Sequence, residues 1–265
     1  MIGIVIIIVL IFSGVYFTNS KKKEAAAEND ILINDVILEN NIAFFRGLNK
    51  NEKQQFENEL RNFLSYIRIT GVNTPIDNLD RIFVAASAVI PVFAFPGWKY
   101  NNLREVLLYS DAINTDFQTE GEGRNILGMV GSGYMEGKML LSKFALQQGF
   151  KNESDKNNTA IHEFVHLIDK ADGDTDGIPE LLLSKQYTIP WLDMTYQLMQ
   201  EMLKGKSDIN PYGTTNKAEF FAVVSEYFFE RPDLLQQKHP ELYKLLQEIF
   251  KQDPEAQLRS LKGES

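Results

Sequence analysis

The stretch Thr159-Ala160-Ile161-His162-Glu163-Phe164-Val165-His166-Leu167-Ile168-Asp169 constrains this chain more than any other. It contains H-E-x-x-H. On an α-helix, residues four apart share a face, so His162 and His166 project side by side. Two imidazoles so placed reach one Zn²⁺ at roughly 2.0–2.1 Å each. Glu163 leaves the same turn where a carboxylate can take a proton from an attacking water. Asn158 or Thr159 can cap the helix start, and Gly173 follows its expected end. The competing explanation is coincidence on a core helix. With three histidines in 265 residues, roughly 0.003 chance matches are expected per chain. Metal binding is the better account.

A catalytic zinc takes three protein ligands and one open position. The chain has no cysteine and one further histidine, His239, between Lys238 and Pro240. That setting predicts an exposed loop residue, so the third ligand is expected to be a carboxylate. Asp172 stands six residues past His166, the spacing of a metzincin ligand. That geometry needs glycine three residues after the second histidine, where this chain has Asp169. Glu219 and Glu226 are better placed, in an apolar run over 218–229 that reads as a helix capped by Thr215 or Asn216. A carboxylate in such a helix is costly to bury unless it is paired or binds metal. The two are seven apart and share a face, so one can be the ligand and the other its orienting partner. Residue chemistry alone leaves open which is which.

Residues 162–169, together with Asn210-Pro211-Tyr212-Gly213-Thr214-Thr215-Asn216-Lys217-Ala218-Glu219-Phe220-Phe221-Ala222-Val223-Val224-Ser225-Glu226-Tyr227-Phe228-Phe229, resemble the Mlc titration factor A family, zinc peptidases of the gluzincin type. The resemblance runs more weakly through 106–110 and 140–142. It implies an α+β fold, a mostly helical zincin-like metallopeptidase domain with a small β-sheet. It implies one zinc held by His162, His166 and Glu219, Glu163 as general base, and aminopeptidase-like activity on short peptides. It also points to Tyr212, whose phenol can donate a hydrogen bond to a developing oxyanion. Asp169 can accept an imidazole N–H and fix its tautomer, and Glu226 becomes the second orienting carboxylate. The family takes its name from a glucose repressor. A transcription repressor is therefore a second class of partner beside a peptide or protein substrate. The rival reading is a repressor-sequestering protein whose peptidase site is secondary or vestigial.

The chain's formal charge of −9 leaves no basic patch for nucleic acid. Absence of cysteine excludes disulfides, thiolate zinc sites, a cysteine nucleophile and a lipidated N-terminal cysteine. Residues 2–18 are almost uninterrupted Ile, Val, Leu and Phe. As a helix they reach roughly 25 Å, short but adequate for a bilayer core of about 30 Å. A cleaved signal would need a basic segment before the run and a small-residue cleavage site after it, and neither is evident. Lys21-Lys22-Lys23 follow the run, which predicts a cytoplasmic catalytic domain. The expected organisation is a transmembrane anchor at 1–20, a juxtamembrane linker at 21–30 and a zinc metallopeptidase domain at 31–260.

Periodicity predicts helices over 51–67 and 191–203, and strands over 106–109 and 139–142. Residues 82–95 read as a buried helix followed by an extended segment, and 143–149 as a turn or short helix. Residues 121–133 read as a loop or hairpin, with Gly128, Gly131 and Gly133 as ordinary turn glycines. Residues 231–250 read as an amphipathic helix broken by Pro232 and Pro240. Asp172, Asp174, Asp176 and Gly177 imitate the start of a calcium loop, but Leu183 stands where a bidentate Glu is needed. A turn-rich acidic loop is expected there.

Overall fold

The computed structural model describes residues 32–152 and 155–262. The expected anchor and linker, residues 1–30, lie outside these. Among the described residues, no helix is long and apolar enough to cross a membrane.

Helices α1 (Asp35–Asn41) and α2 (Ala43–Arg46) lead into α3 (Lys50–Tyr66). A capping box starts α3: the Asn49 side chain accepts from the Glu52 amide, and Glu52 accepts from the Asn49 amide at 2.8 Å. Phe56, Leu60 and Phe63 then bury one face at helical spacing. Strand β1 (Arg68–Val72) follows, then α4 (Asn78–Val89), capped in the same way by Asp77 and Asp80. The extended segment expected after α4 is not formed. Ile90–Val92 winds into a 3₁₀ turn instead, with Pro91 in its first positions, where a missing N–H costs little.

Strands β2 (Leu103–Tyr109), β3 (Gly128–Val130) and β4 (Gly137–Ser142) complete a four-stranded sheet of order β1-β2-β4-β3. β1, β2 and β4 are parallel, and β3 runs antiparallel to β4 at the edge. Val106 pairs with Met139 and Leu108 with Leu141, and all four are buried, which locks the register. The glycine-rich stretch thus contains a strand, and a two-residue bridge between Ile113 and Ile126 closes its base.

The remaining elements are α5 (Lys143–Lys151), α6 (Thr159–Asp169), α7 (Thr188–Leu203), α8 (Lys217–Glu230), α9 (Pro232–Lys238), α10 (Pro240–Phe250) and α11 (Pro254–Lys262). A proline opens each of the last three, so the expected tail helix is divided at Pro232 and Pro240 and a further helix follows it. The mostly helical α+β class is as expected, with a small mixed sheet.

α6 and α8 pack directly on each other and carry the site. Phe164 of α6 lies edge-on to Phe63 at 5.7 Å and to Tyr100 at 5.2 Å. Phe220, Phe221, Val224 and Phe228 of α8 are fully buried, and Trp191 of α7 stands edge-on to Phe221. Each buried aromatic contributes about 1.5–3 kcal/mol. That packing fixes the separation of the two helices, and with it the distance between their polar side chains.

Candidate metal centre and active-site cleft

The Asn158 side chain accepts from the Ile161 amide at 3.1 Å and so caps α6. On α6, His162 Nε2 and His166 Nε2 approach to 3.0 Å. Glu219 comes from the first turn of α8, whose N-cap Asn216 accepts from the Glu219 amide at 2.9 Å. A carboxylate there is favoured by the helix dipole. Glu219 Oε2 lies 3.0 Å from His162 Nε2 and 3.3 Å from His166 Nε2.

These are the ligand atoms of the one His/Asp/Glu group that converges tightly enough for a metal ion among the described residues. Two imidazole nitrogens and a carboxylate oxygen suit zinc. Tetrahedral ligands at roughly 2.0–2.1 Å from zinc stand roughly 3.3 Å apart, so the observed spacings fit. Asp172, with its metzincin-like spacing, is not in the group. Its oxygens accept from the amides of Asp174 and Glu180. Asp176 likewise accepts from the Ile178 amide, so this acidic loop caps its own backbone.

Glu226, two turns after Glu219, has a different surrounding. Its Oε1 bonds His162 Nδ1 at 2.7 Å, and its Oε2 accepts from the Asn158 amide at 2.7 Å. It lies behind the imidazole, facing the ring nitrogen turned away from the convergent cluster. Burial pulls the His162 pKa down, but hydrogen bonds donated to the Glu219 and Glu226 carboxylates outweigh it and push it up to about 10. Burial raises the Glu219 carboxyl, and its two imidazole partners overcome this and hold it at about 2.

A prediction follows for metal-free protein. His162 is protonated at pH 8, and a metal ligand must be neutral. Zinc binding at pH 8 should release about one proton, and affinity should rise about tenfold per pH unit up to pH 10. Calorimetry in two buffers of different ionisation enthalpy reads this directly. Binding with no proton release would contradict the His162 assignment.

Glu163 is 6% exposed, and burial pushes its carboxyl up to about 7 against the pull of both histidines. Edge strand β3 passes directly over it. A Cβ at Gly128 would stand 2.6 Å from Glu163 Oε1, a distance no side chain tolerates. Gly128 is therefore a spacer for the carboxylate rather than a turn glycine. A glycine inside a strand is the signal that marks such close approach. Gly128→Ala should leave zinc content unchanged while turnover falls about 10²-fold, since the nearest group displaced is the Glu163 carboxylate. Zinc analysis beside an activity assay checks this, and unaltered turnover would remove Gly128 from the site.

Tyr212 sits on a 3₁₀ turn, Pro211–Thr214, whose start is held by Asn210 accepting from the Tyr212 amide at 3.1 Å. Its ring lies 6.1 Å from that of His162. Burial, then the carboxylates of Glu219 and Glu163, raise the phenol pKa.

Asp169 is buried at the end of α6. One oxygen accepts from the Gly177 amide at 3.0 Å, and the other, like His166 Nδ1, has no hydrogen-bond partner. The expected imidazole bond is not formed within hydrogen-bonding distance. Burial raises the Asp169 carboxyl to about 6. Gly177 holds this corner together. Its backbone is left-handed, its carbonyl accepts from Trp191 Nε1 at 2.7 Å, and an added Cβ would lie 2.4 Å from the Lys217 carbonyl.

His239 is not the exposed loop residue expected. It lies between α9 and α10, bonded to Asp208 at 2.8 Å with its side chain 13% exposed. Asp208 also accepts from Lys156, Lys238 and Tyr227. The cluster ties the approach to α6 and the end of α8 to the loop that carries Tyr212.

A cleft of about 570 Å³ opens between β3 and α6. Gly128 to Ser132 form one wall, His162, Glu163 and His166 the floor, and Tyr212, Asn216 and Lys217 the far rim.

The chain is similar to known proteins over most of its length. An uncharacterized protein of Synechocystis sp. is 28% identical over 229 residues, 82% of this chain and 83% of its own length. Mlc titration factor A of Pectobacterium atrosepticum is 29% identical over 185 residues, 64% of this chain and 68% of its own. Mlc titration factor A of Cronobacter sakazakii is 27% identical over 235 residues, 82% and 86% respectively. The sequence profile of the glucose-regulated metallo-peptidase M90 family matches residues 17–251. With that match spanning α6 and α8, the chain belongs to the glucose-regulated metallo-peptidase M90 family.

Proposed function

We propose that this chain is a zinc-dependent, membrane-anchored peptidase with aminopeptidase-like preference for short substrates. The observation that carries the reading is the convergence of His162, His166 and Glu219 beside the buried carboxylate of Glu163. His162, His166 and Glu219 would hold the metal, with Glu226 fixing the His162 tautomer. Bound zinc supplies a Lewis acid for the scissile carbonyl and acidifies water. Glu163, buried beside the convergent ligands, would accept the proton of the attacking water and return it to the leaving amine. The Tyr212 phenol, kept protonated by its raised pKa, donates to the developing oxyanion. Edge strand β3 offers its unpaired backbone side along the cleft, so an extended peptide can dock there as an added strand.

Mixed peptides incubated with the zinc-loaded full chain test the substrate class. Release of single N-terminal residues, read by mass spectrometry, is the expected result, and exclusively internal cleavage would contradict the aminopeptidase reading. For the anchor, the chain should fractionate with membranes and lose that property when residues 1–20 are deleted. A mature N-terminus beyond residue 18 would overturn both the anchor and its cytoplasmic topology.

The name of two of the relatives, Mlc titration factor A, favours a second reading in which this chain sequesters a transcription repressor. A pull-down with wild-type and Glu163→Gln protein separates the two. A repressor held equally by both, with no peptide cleaved by either, would replace the enzymatic reading.

A further inference from the structure

A second cavity, of about 410 Å³, lies against the N-terminal end of α6. It falls within the roughly 300–1,000 Å³ range of small-molecule sites. Ile42, Phe44, Phe150, Ile161, Phe229 and Leu258 give it an apolar wall drawn from α2, α5, α6, α8 and α11. Its charged residues balance, Arg46 and Arg231 against Glu230 and Asp233, and Arg231 pairs with Asp233 at 3.0 and 3.1 Å. A net-neutral, largely apolar chamber favours an uncharged guest, because a charged one would lose hydration without a net counter-charge.

Asn158 is in its wall. Besides capping α6, Asn158 donates its amide to Glu226 and its side-chain N–H to Glu230 Oε1 at 2.9 Å. Glu226 in turn bonds His162 Nδ1. On α6 the cavity is bounded by Ile161 and the cleft by the very next residue. We propose that this cavity binds an uncharged apolar small molecule, an alkyl or aromatic compound, and that its occupancy is linked to metal binding through Asn158 and Glu226. The site stands apart from the peptidase reading, and only the linkage rests on His162 being a ligand. A guest packed on Ile161 and Asn158 adds contacts to the cap of α6 and, through the Asn158 amide, to the Glu226 carboxylate that faces His162 Nδ1, and so favours the arrangement the metal also needs. Because linkage is reciprocal, zinc tightens the guest by the same factor.

The probe is N-phenyl-1-naphthylamine, a neutral apolar fluorophore that brightens out of water. Titrated into the full chain, it should bind saturably at one site and be displaced by decan-1-ol. Leu258→Trp and Ala43→Trp fill the cavity from different walls, so a misfolded variant of one leaves the other. Each should abolish the saturable component while keeping the wild-type circular dichroism spectrum. Saturating probe should tighten zinc binding, read by chelator competition, about fivefold in wild type and not in the filled variants. Undiminished probe binding in both folded variants would overturn the site, since the dye then sits elsewhere. Probe binding lost in the variants with zinc affinity unmoved in wild type would overturn the linkage. Failure of the protein to bind zinc at all would sink the metal reading, while the probe titration would still decide the cavity.

Discussion

Glu219→Gln protein should come through zinc loading essentially without metal. The change keeps the size of the side chain but replaces an anionic oxygen, 3.0 and 3.3 Å from the two histidine nitrogens, with a weak neutral ligand. A loss well beyond 10²-fold in zinc affinity is expected, more than the roughly 10–100-fold typical of an orienting partner. Glu226→Gln should fall in that lower range. Glu226 accepts two donors, at His162 Nδ1 and the Asn158 amide, and an amide offers one oxygen. One buried donor is left facing an NH₂, at a cost of about 1–3 kcal/mol, while the three ligand atoms stay in place. Zinc per chain by mass spectrometry distinguishes the two variants. If Glu226→Gln sheds the metal and Glu219→Gln retains it, the third ligand lies two turns further along α8 than assigned.

Glu163→Gln should keep its zinc and lose turnover by about 10²–10⁴-fold, the usual contribution of a positioned general base. It should also alter stability in a definite direction. The Glu163 carboxyl is raised from 4.5 to about 7 in the folded, metal-free protein, chiefly by burial. A carboxyl with a raised folded pKa costs stability as pH rises from the unfolded value near 4.5 through about 7, because only the folded state resists ionisation. Metal-free Glu163→Gln should therefore be more stable than wild type at pH 8, by at most about 3 kcal/mol. The gain should vanish below pH 4. Denaturant titration at both pH values measures it. Equal stability at pH 8 would mean that the carboxylate is better solvated than its burial implies.

Features carried by a local period or a local cap were legible in the chain. The helix of His162 and His166 depends on Asn158, a run of apolar residues and a four-residue spacing, all contiguous. The face shared by Glu219 and Glu226 was equally readable, but their division of labour was not. It depends on which end of α8 meets which face of α6, a matter of Phe220, Phe221 and Phe228 packing rather than of spacing. Gly128 shows the same limit. Its meaning lies in the Glu163 carboxylate thirty-five residues away in sequence, brought beneath it by the edge strand. β1 was missed because Arg68–Val72 is only five residues long, with Gly71 inside it, and is stabilised by its register with β2. His239 was misread because Asp208, which draws it in, lies across two helices.

In the proposed mechanism, His162, His166 and Glu219 bind a zinc ion on which peptide hydrolysis depends. The direct test is peptide hydrolysis followed against zinc content as the wild-type chain is stripped by a chelator and reloaded. Activity should fall to the level of Glu163→Gln as zinc is removed and return in proportion at one zinc per chain. Hydrolysis that persists in zinc-free protein, or that Glu163→Gln protein matches when loaded, would contradict it.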